Sequence, residues 1–195
     1  MVCRCRPIPK LDRRQWCFEN TRSLCKSKVY QIHQKAMNDF VFFYSSSHPF
    51  SNWYMMPFVH NGKQYNCSEQ YMMRMKAMMF HDYDVAEMIM EQGHPYKQKF
   101  LGRQVRGFSE PTWLAKCKPL MVEGLKSKFM QDTYCLNTLL DTGDKIIVEA
   151  SPTDKLWGIG LSEDDPRAKN PKQWLGKNWL GDVLMQTRYE IRHGV

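Results

Sequence analysis

The stretch Tyr71-Met-Met-Arg-Met-Lys-Ala-Met-Met-Phe80 constrains the fold most. Its residues are mainly good helix formers, and no Gly or Pro interrupts them. Wound as a helix, it places apolar side chains on nearly every side, so other elements must wrap it. Asn66 precedes Glu69 by three residues, the spacing of a capping box, which predicts where the helix starts. A buried helix needs a sizeable core, and 195 residues suit one domain with a single core.

Short elements surround that helix. Val41 to Tyr44 reads as a buried strand. Asn61-Gly62 sits between two short β-prone runs, Pro57–His60 and Lys63–Tyr65, and predicts a tight hairpin, because both residues tolerate positive φ. Helices are predicted near Val85–Glu91, Pro95–Leu101, Pro119–Met130 and Tyr134–Leu140, with Pro95 and Pro119 in first-turn positions. Lys145–Ala150 reads as a central strand, Ser151–Gly176 as a long loop, and Asn178 as the start of a last helix striped by Leu180, Leu184 and Ile191. The fold class is α+β: a single compact domain, mainly helical with a small sheet.

Hydrophobic residues at 43% and charged residues at 25% exclude a disordered chain. No apolar run reaches the ~18 residues of a membrane span, and no apolar segment opens the chain as a secretory signal does. The expectation is an intracellular protein, cytoplasmic or nuclear, with thiol cysteines and no membrane partner. Residues 1–38 carry a net charge of +7, against +8 for the whole chain. They read as a basic arm ahead of a catalytic domain at 39–195. Such an arm attracts phosphate backbones, though a solvated tail explains the charge equally well. Cys3, Cys5, Cys17, Cys25 and His33 lie in the arm at irregular spacing, which does not fit a zinc site.

Four segments carry candidate chemistry. Glu69 and Lys76 are seven residues apart, nearly two turns, so both fall close to one stripe of the apolar helix. Burial there would neutralise the lysine and make it a nucleophile. The alternative is a capping Glu69 and a Lys76 that snorkels to water. Glu149-Ala-Ser-Pro-Thr-Asp154-Lys-Leu-Trp157-Gly158-Ile-Gly160 joins a strand to a loop with an acid, a stacking face and two glycines that admit close approach. Gly176-Lys-Asn178 opens a helix, where backbone N–H groups suit an anion or where Asn178 is an ordinary cap. Ser51-Asn52-Trp53 offers an aromatic floor with two small polar groups.

Taken in order, Phe50–Tyr54, Cys67–Tyr71 leading to Met75-Lys76-Ala77, Leu101-Gly-Arg103, Lys128-Phe129, Leu140–Asp144, the Glu149–Leu161 block, Gly176-Lys-Asn178 and Leu180-Gly181 resemble the NADAR, or YbiA-like, N-glycosidase family. The one departure is Glu69-Gln70-Tyr71 followed by methionines and Arg74, where the family usually has Glu-His-Tyr or a similar run and then Gln-rich helix positions. The resemblance implies a metal-free and cofactor-free hydrolase of N-glycosyl bonds. It places Glu69, Lys76 and Asp154 in catalysis and Ser51, Asn52, Trp53, Trp157, Gly158, Gly160, Gly176 and Asn178 in substrate binding. Lys76 is the residue it marks for a Schiff base with opened ribose. Two substrates follow: ADP-ribose on guanine in DNA, RNA or a free nucleoside, and small phosphorylated ribosides such as the ribosylamino-pyrimidines of riboflavin synthesis. A non-catalytic module binding NAD or ADP-ribose is the third reading.

Overall fold

The computed structural model describes residues 40–195. The arm, its cysteines and His33 lie outside the described residues. Strand β1 (Phe40–Phe43) is followed by β2 (Phe58–His60) and β3 (Lys63–Tyr65), then five helices: α1 (Ser68–Met79), α2 (Tyr83–Met90), α3 (Pro95–Gly102), α4 (Glu110–Met130) and α5 (Thr133–Leu140). Strand β4 (Ile146–Glu149), two 3-10 turns and α6 (Trp179–His193) complete the order. The α+β reading holds.

The hairpin forms as the turn dipeptide predicts. Asn61 and Gly62 have φ of 49° and 75°, and Phe58 pairs with Tyr65. Strand β4 is not central: among the described residues its sheet has two strands, with β4 parallel to β1 and Phe43 opposite Glu149. The carboxyl ends of both strands therefore open at one edge, the usual position for ligands beside parallel strands.

Three helix expectations are corrected. Only the first half of α1 is enclosed: Ser68 to Met73 and Ala77 are buried, while Met75, Met78 and Met79 are partly open. The cap is Cys67, not Asn66, and no side chain caps the helix. Gln70 reaches back instead, its Oε1 accepting the Asn66 N–H at 2.8 Å, so Glu69 is free of capping. Pro119 does not start a helix; it lies inside the 21-residue α4. Its ring removes the hydrogen bond to the Ala115 carbonyl, but both residues face solvent, where water can satisfy that oxygen.

The core packs α1 against α4. Gly124 makes this possible, because a Cβ there would occupy the Tyr71 ring. The Tyr71 hydroxyl donates to the Leu120 carbonyl at 3.0 Å, which satisfies the one polar atom of a fully buried ring. Phe50, Phe58, Tyr65, Leu125 and Phe129 fill the space around it. A smaller cluster of Val148, Ile159, Leu161 and Ala168 covers the other side of the β1–β4 pair.

Candidate active site

A cleft of about 820 Å³ lies beyond the carboxyl ends of β1 and β4. Its walls come from four stretches that are distant in sequence. Tyr44 to Ser46 leave β1, Ser51 and Trp53 form a turn, and Glu149 to Asp154 leave β4. Helix α3 and its C-cap Arg103 supply the fourth wall with two adjacent i,i+4 pairs, Tyr96 with Phe100 and Lys99 with Arg103. The volume falls within the range for a drug-sized or nucleotide ligand.

Glu69 sits at the first turn of α1 and is 2% exposed. The Trp53 indole N–H donates to its Oε2 at 3.2 Å, while its Oε1 is buried without a hydrogen-bond partner. Burial pushes the carboxyl up to about 7, against the opposing charge of Lys99 and the Trp53 bond. Glu149 ends β4, and its Oε2 is likewise buried without a partner. Burial, reinforced by the charge of Asp154, pushes Glu149 up to about 8, again against Lys99. Two carboxyls thus share one region, and each keeps an unused oxygen. Asn52 Oδ1, Ser68 Oγ and Arg74 Nε are buried without partners as well, so it is their place around the cleft that sets the two carboxyl oxygens apart.

Asp154 lines the same cleft but is held differently. Its Oδ1 accepts the N–H groups of Leu156 at 2.9 Å and Trp157 at 2.8 Å, while its own N–H donates to Ser151 Oγ. These bonds fix the loop and leave Oδ2 for the cleft.

Of the residues expected at the site, Ser51, Trp53 and Asp154 line the cleft, and Glu69 joins them through Trp53. Asn52 is buried beside them, its backbone carbonyl accepting the Glu69 N–H at 2.8 Å. Lys76 is not among the lining residues. Its ammonium donates to the Gly102 carbonyl at 2.7 Å and lies 4.0 Å over the Phe108 ring. Burial first, then the charge of Arg103, lowers its pKa.

Trp157, Gly158, Gly160, Gly176 and Asn178 are not among the residues that line the cleft. Trp157 is 9% exposed and meets Trp179 edge-on, with 6.1 Å between ring centroids. A Cβ on Gly176 would run into the Gly158 carbonyl, so these glycines let two loops touch each other. The N–H groups of Lys177, Asn178, Trp179 and Leu180 all donate to carbonyls of residues 155–158. This overturns the start of α6 as an open anion site, because its donors are already used.

Sequence reasoning did not single out the cleft residues Glu149, Lys99, Arg103, Tyr96 and Phe100. The signal for the helix residues was present: two aromatics and two cations at i,i+4 spacing on a short helix with no apolar stripe. Gln70 is a structural departure, since its Nε2 donates to carbonyls at the end of α2 and just beyond it, Ile89, Met90 and Gln92. Among the described residues no three His, Cys, Asp or Glu side chains are grouped to hold a metal, and no helix is long and apolar enough to cross a membrane.

The NADAR domain model matches residues 42–192, nearly all of the described chain. The chain belongs to the NADAR family. It is 39% identical over 181 residues to Protein irg-1 of Caenorhabditis elegans, covering 85% of each chain. It is 41% identical over 162 residues to N-glycosidase R617 of Acanthamoeba polyphaga mimivirus, covering 77% of this chain and 95% of that one. The fold resembles the NMR structure of Escherichia coli YbiA with a TM-score of 0.66 and 27% identity, over 80% of this chain and 87% of YbiA. Matching proteins of Zea mays and Vibrio vulnificus are named riboflavin biosynthesis proteins, but this NADAR chain spans only 16% and 42% of their lengths.

Proposed function

We propose that this NADAR chain hydrolyses the N-glycosidic bond at the anomeric carbon of a phosphorylated ribose, and that its substrate is ADP-ribose attached to guanine in nucleic acid. One observation carries the reading: Glu149 lines a cleft with Lys99 and Arg103, buried Glu69 meets that cleft through Trp53, and each carboxyl keeps an unused oxygen. Glu149, titrating at about 8, keeps its proton near neutral pH and gives it to the departing nitrogen. The C1–N electron pair leaves with that nitrogen, and positive charge develops at C1 and the ring oxygen. Glu69 and Asp154 stabilise that charge. Water then adds to C1 and returns a proton to the Glu149 carboxylate, which completes a balanced hydrolysis. Lys99 and Arg103 suit phosphates, and Tyr96 and Phe100 offer exposed faces to a base. The name of the mimivirus relative supports the bond type.

A second route is favoured by Lys76, whose lowered pKa helps it capture the opened ribose aldehyde as an imine. Here the ammonium has to leave the Gly102 carbonyl. Borohydride added during turnover is expected to fix sugar on Lys76 if the imine forms. Its absence, with Lys76→Arg still active, leaves direct attack by water.

The deciding experiment incubates the chain with an oligonucleotide carrying ADP-ribosyl-guanine and, separately, with a phosphorylated ribosylamino-pyrimidine. Mass spectrometry should find free ADP-ribose and restored guanine in the first reaction only. Release in the second alone would move the substrate to flavin precursors. Tight binding without release in either would make the chain a binding module.

A further inference from the structure

Lys128 is a fully buried cation outside the cleft. It lies on α4, is 0% exposed, and forms no salt bridge with any carboxylate among the described residues. Its ammonium donates to the carbonyls of Pro49 at 2.8 Å and Ser51 at 3.4 Å. The rings of Tyr54 and Phe129 flank it at 5.5 Å. The other titratable groups acting on it are the thiols of Cys67 and Cys135, and its charge in turn acts on His48. Removing an ion from water costs several kcal/mol, and a hydrophobic replacement of similar shape is often neutral or stabilising. Stability therefore does not explain this lysine.

Its partners suggest a function. Both carbonyls belong to the turn that carries Ser51, Asn52 and Trp53. On one side the turn hangs from α1, through the Glu69 N–H bonded to the Asn52 carbonyl and the Trp53 indole bonded to Glu69. On the other side its polar tie to α4 is Lys128. The turn carries Phe50 into the core against Phe43 and Phe129, which turns its carbonyls inward, away from water.

We infer that Lys128 is a positioning residue, an internal cation whose two carbonyl bonds set where the Trp53 indole meets Glu69. The inference rests on the reading of Glu69 as a reacting group. Lys128 touches no substrate; it acts through the turn. Without it the turn keeps its packing through Phe50 but loses its polar tie to α4, and Trp53 lies less closely on the carboxylate.

The test is a double-mutant cycle of Lys128→Met and Trp53→Phe in the full chain. In Lys128→Met, kcat should fall about 10- to 100-fold with little change in KM, the scale of a misplaced catalytic group. In the Trp53→Phe background, Lys128→Met should add almost nothing, because both changes remove one contact. The indole N–H resonance of Trp53 should move, and the Glu69 carboxyl should titrate at higher pH, since that bond holds its pKa down. Additive losses in kcat would overturn the inference, as would an unmoved indole resonance. Should Lys128→Met not fold, Lys128→Gln keeps one donor and enters the same cycle, where additive losses or an unmoved indole again overturn the inference. The resonance measurements need no substrate. A moved indole in a protein that releases no sugar overturns the glycosidase reading and supports the positioning role.

Discussion

Glu69→Gln is expected to lose about 10²- to 10⁴-fold in turnover, the contribution of a positioned acid or base, and to stay folded. The same substitution has a second signature in stability. In the folded chain Glu69 titrates at about 7, above the ordinary value of 4.5, because burial disfavours its charge. Between those values the folded state holds a proton that the unfolded chain releases. Stability from this group is therefore complete below pH 4.5 and is lost as pH rises through 7. Glutamine carries no charge and escapes that loss. Relative to the parent, the variant should gain on the order of 3 kcal/mol between pH 4.5 and 8.5. Its amide nitrogen inherits a site with no acceptor, but that cost does not vary with pH. Thermal melts of both proteins across this range measure the difference directly. A flat difference would mean that Glu69 is ionised throughout, and unchanged turnover would return it to a structural role.

Asn178→Ala is expected to be the most destabilising single change near the cleft, at about 3–5 kcal/mol. Asn178 is 1% exposed, and its φ of 53° lies in the left-handed region. Its Oδ1 accepts the Glu149 N–H at 3.0 Å, and its Nδ2 donates to the Ile147 carbonyl at 2.9 Å. Alanine leaves two buried backbone groups of β4 without partners and strains its own backbone. Gly181 packs against the same amide, so no larger neighbour fills the gap. Asn178→Gly separates the two costs, since glycine relieves the strain but restores neither bond. Denaturant melts should rank parent above Gly above Ala. A loss under 1 kcal/mol for alanine would show that β4 does not depend on this amide. Turnover should fall in both variants, because the amide holds the backbone that aims Glu149.

These two residues also mark how far the sequence can be read. Local elements were legible where one short signal decides them. Asn61-Gly62 gave the hairpin, and Pro95 gave the start of α3. Pro119 misled because a proline on an exposed helix face costs less than its position in the sequence suggests. Glu69 stood out as an acid on an apolar helix, and it is buried there. Glu149 did not stand out, because its burial depends on β1, which lies about 100 residues away. Asn178 has the residue type of a helix cap, and only the paired loops show that its amide reaches β4. Lys128 was part of the family resemblance, but no pattern around it reveals the turn whose carbonyls it binds.

The parallel pairing of β1 with β4 also bears on how the chain is made. Phe40 leaves the ribosome about 100 residues before Ile146, its partner. Closing a loop of that size costs about 4 kcal/mol in chain entropy, and nothing in β1 recovers it until β4 arrives. Helices α1 to α4 can pair with each other in the meantime through local contacts. The cleft cannot form early, because Glu149 is delivered by the strand that closes the loop. A chain truncated before β4 would leave β1 as an unpaired apolar edge, ready to join another copy. Assembly of the carboxyl pair therefore waits for β4, however early the helices between the two strands pack.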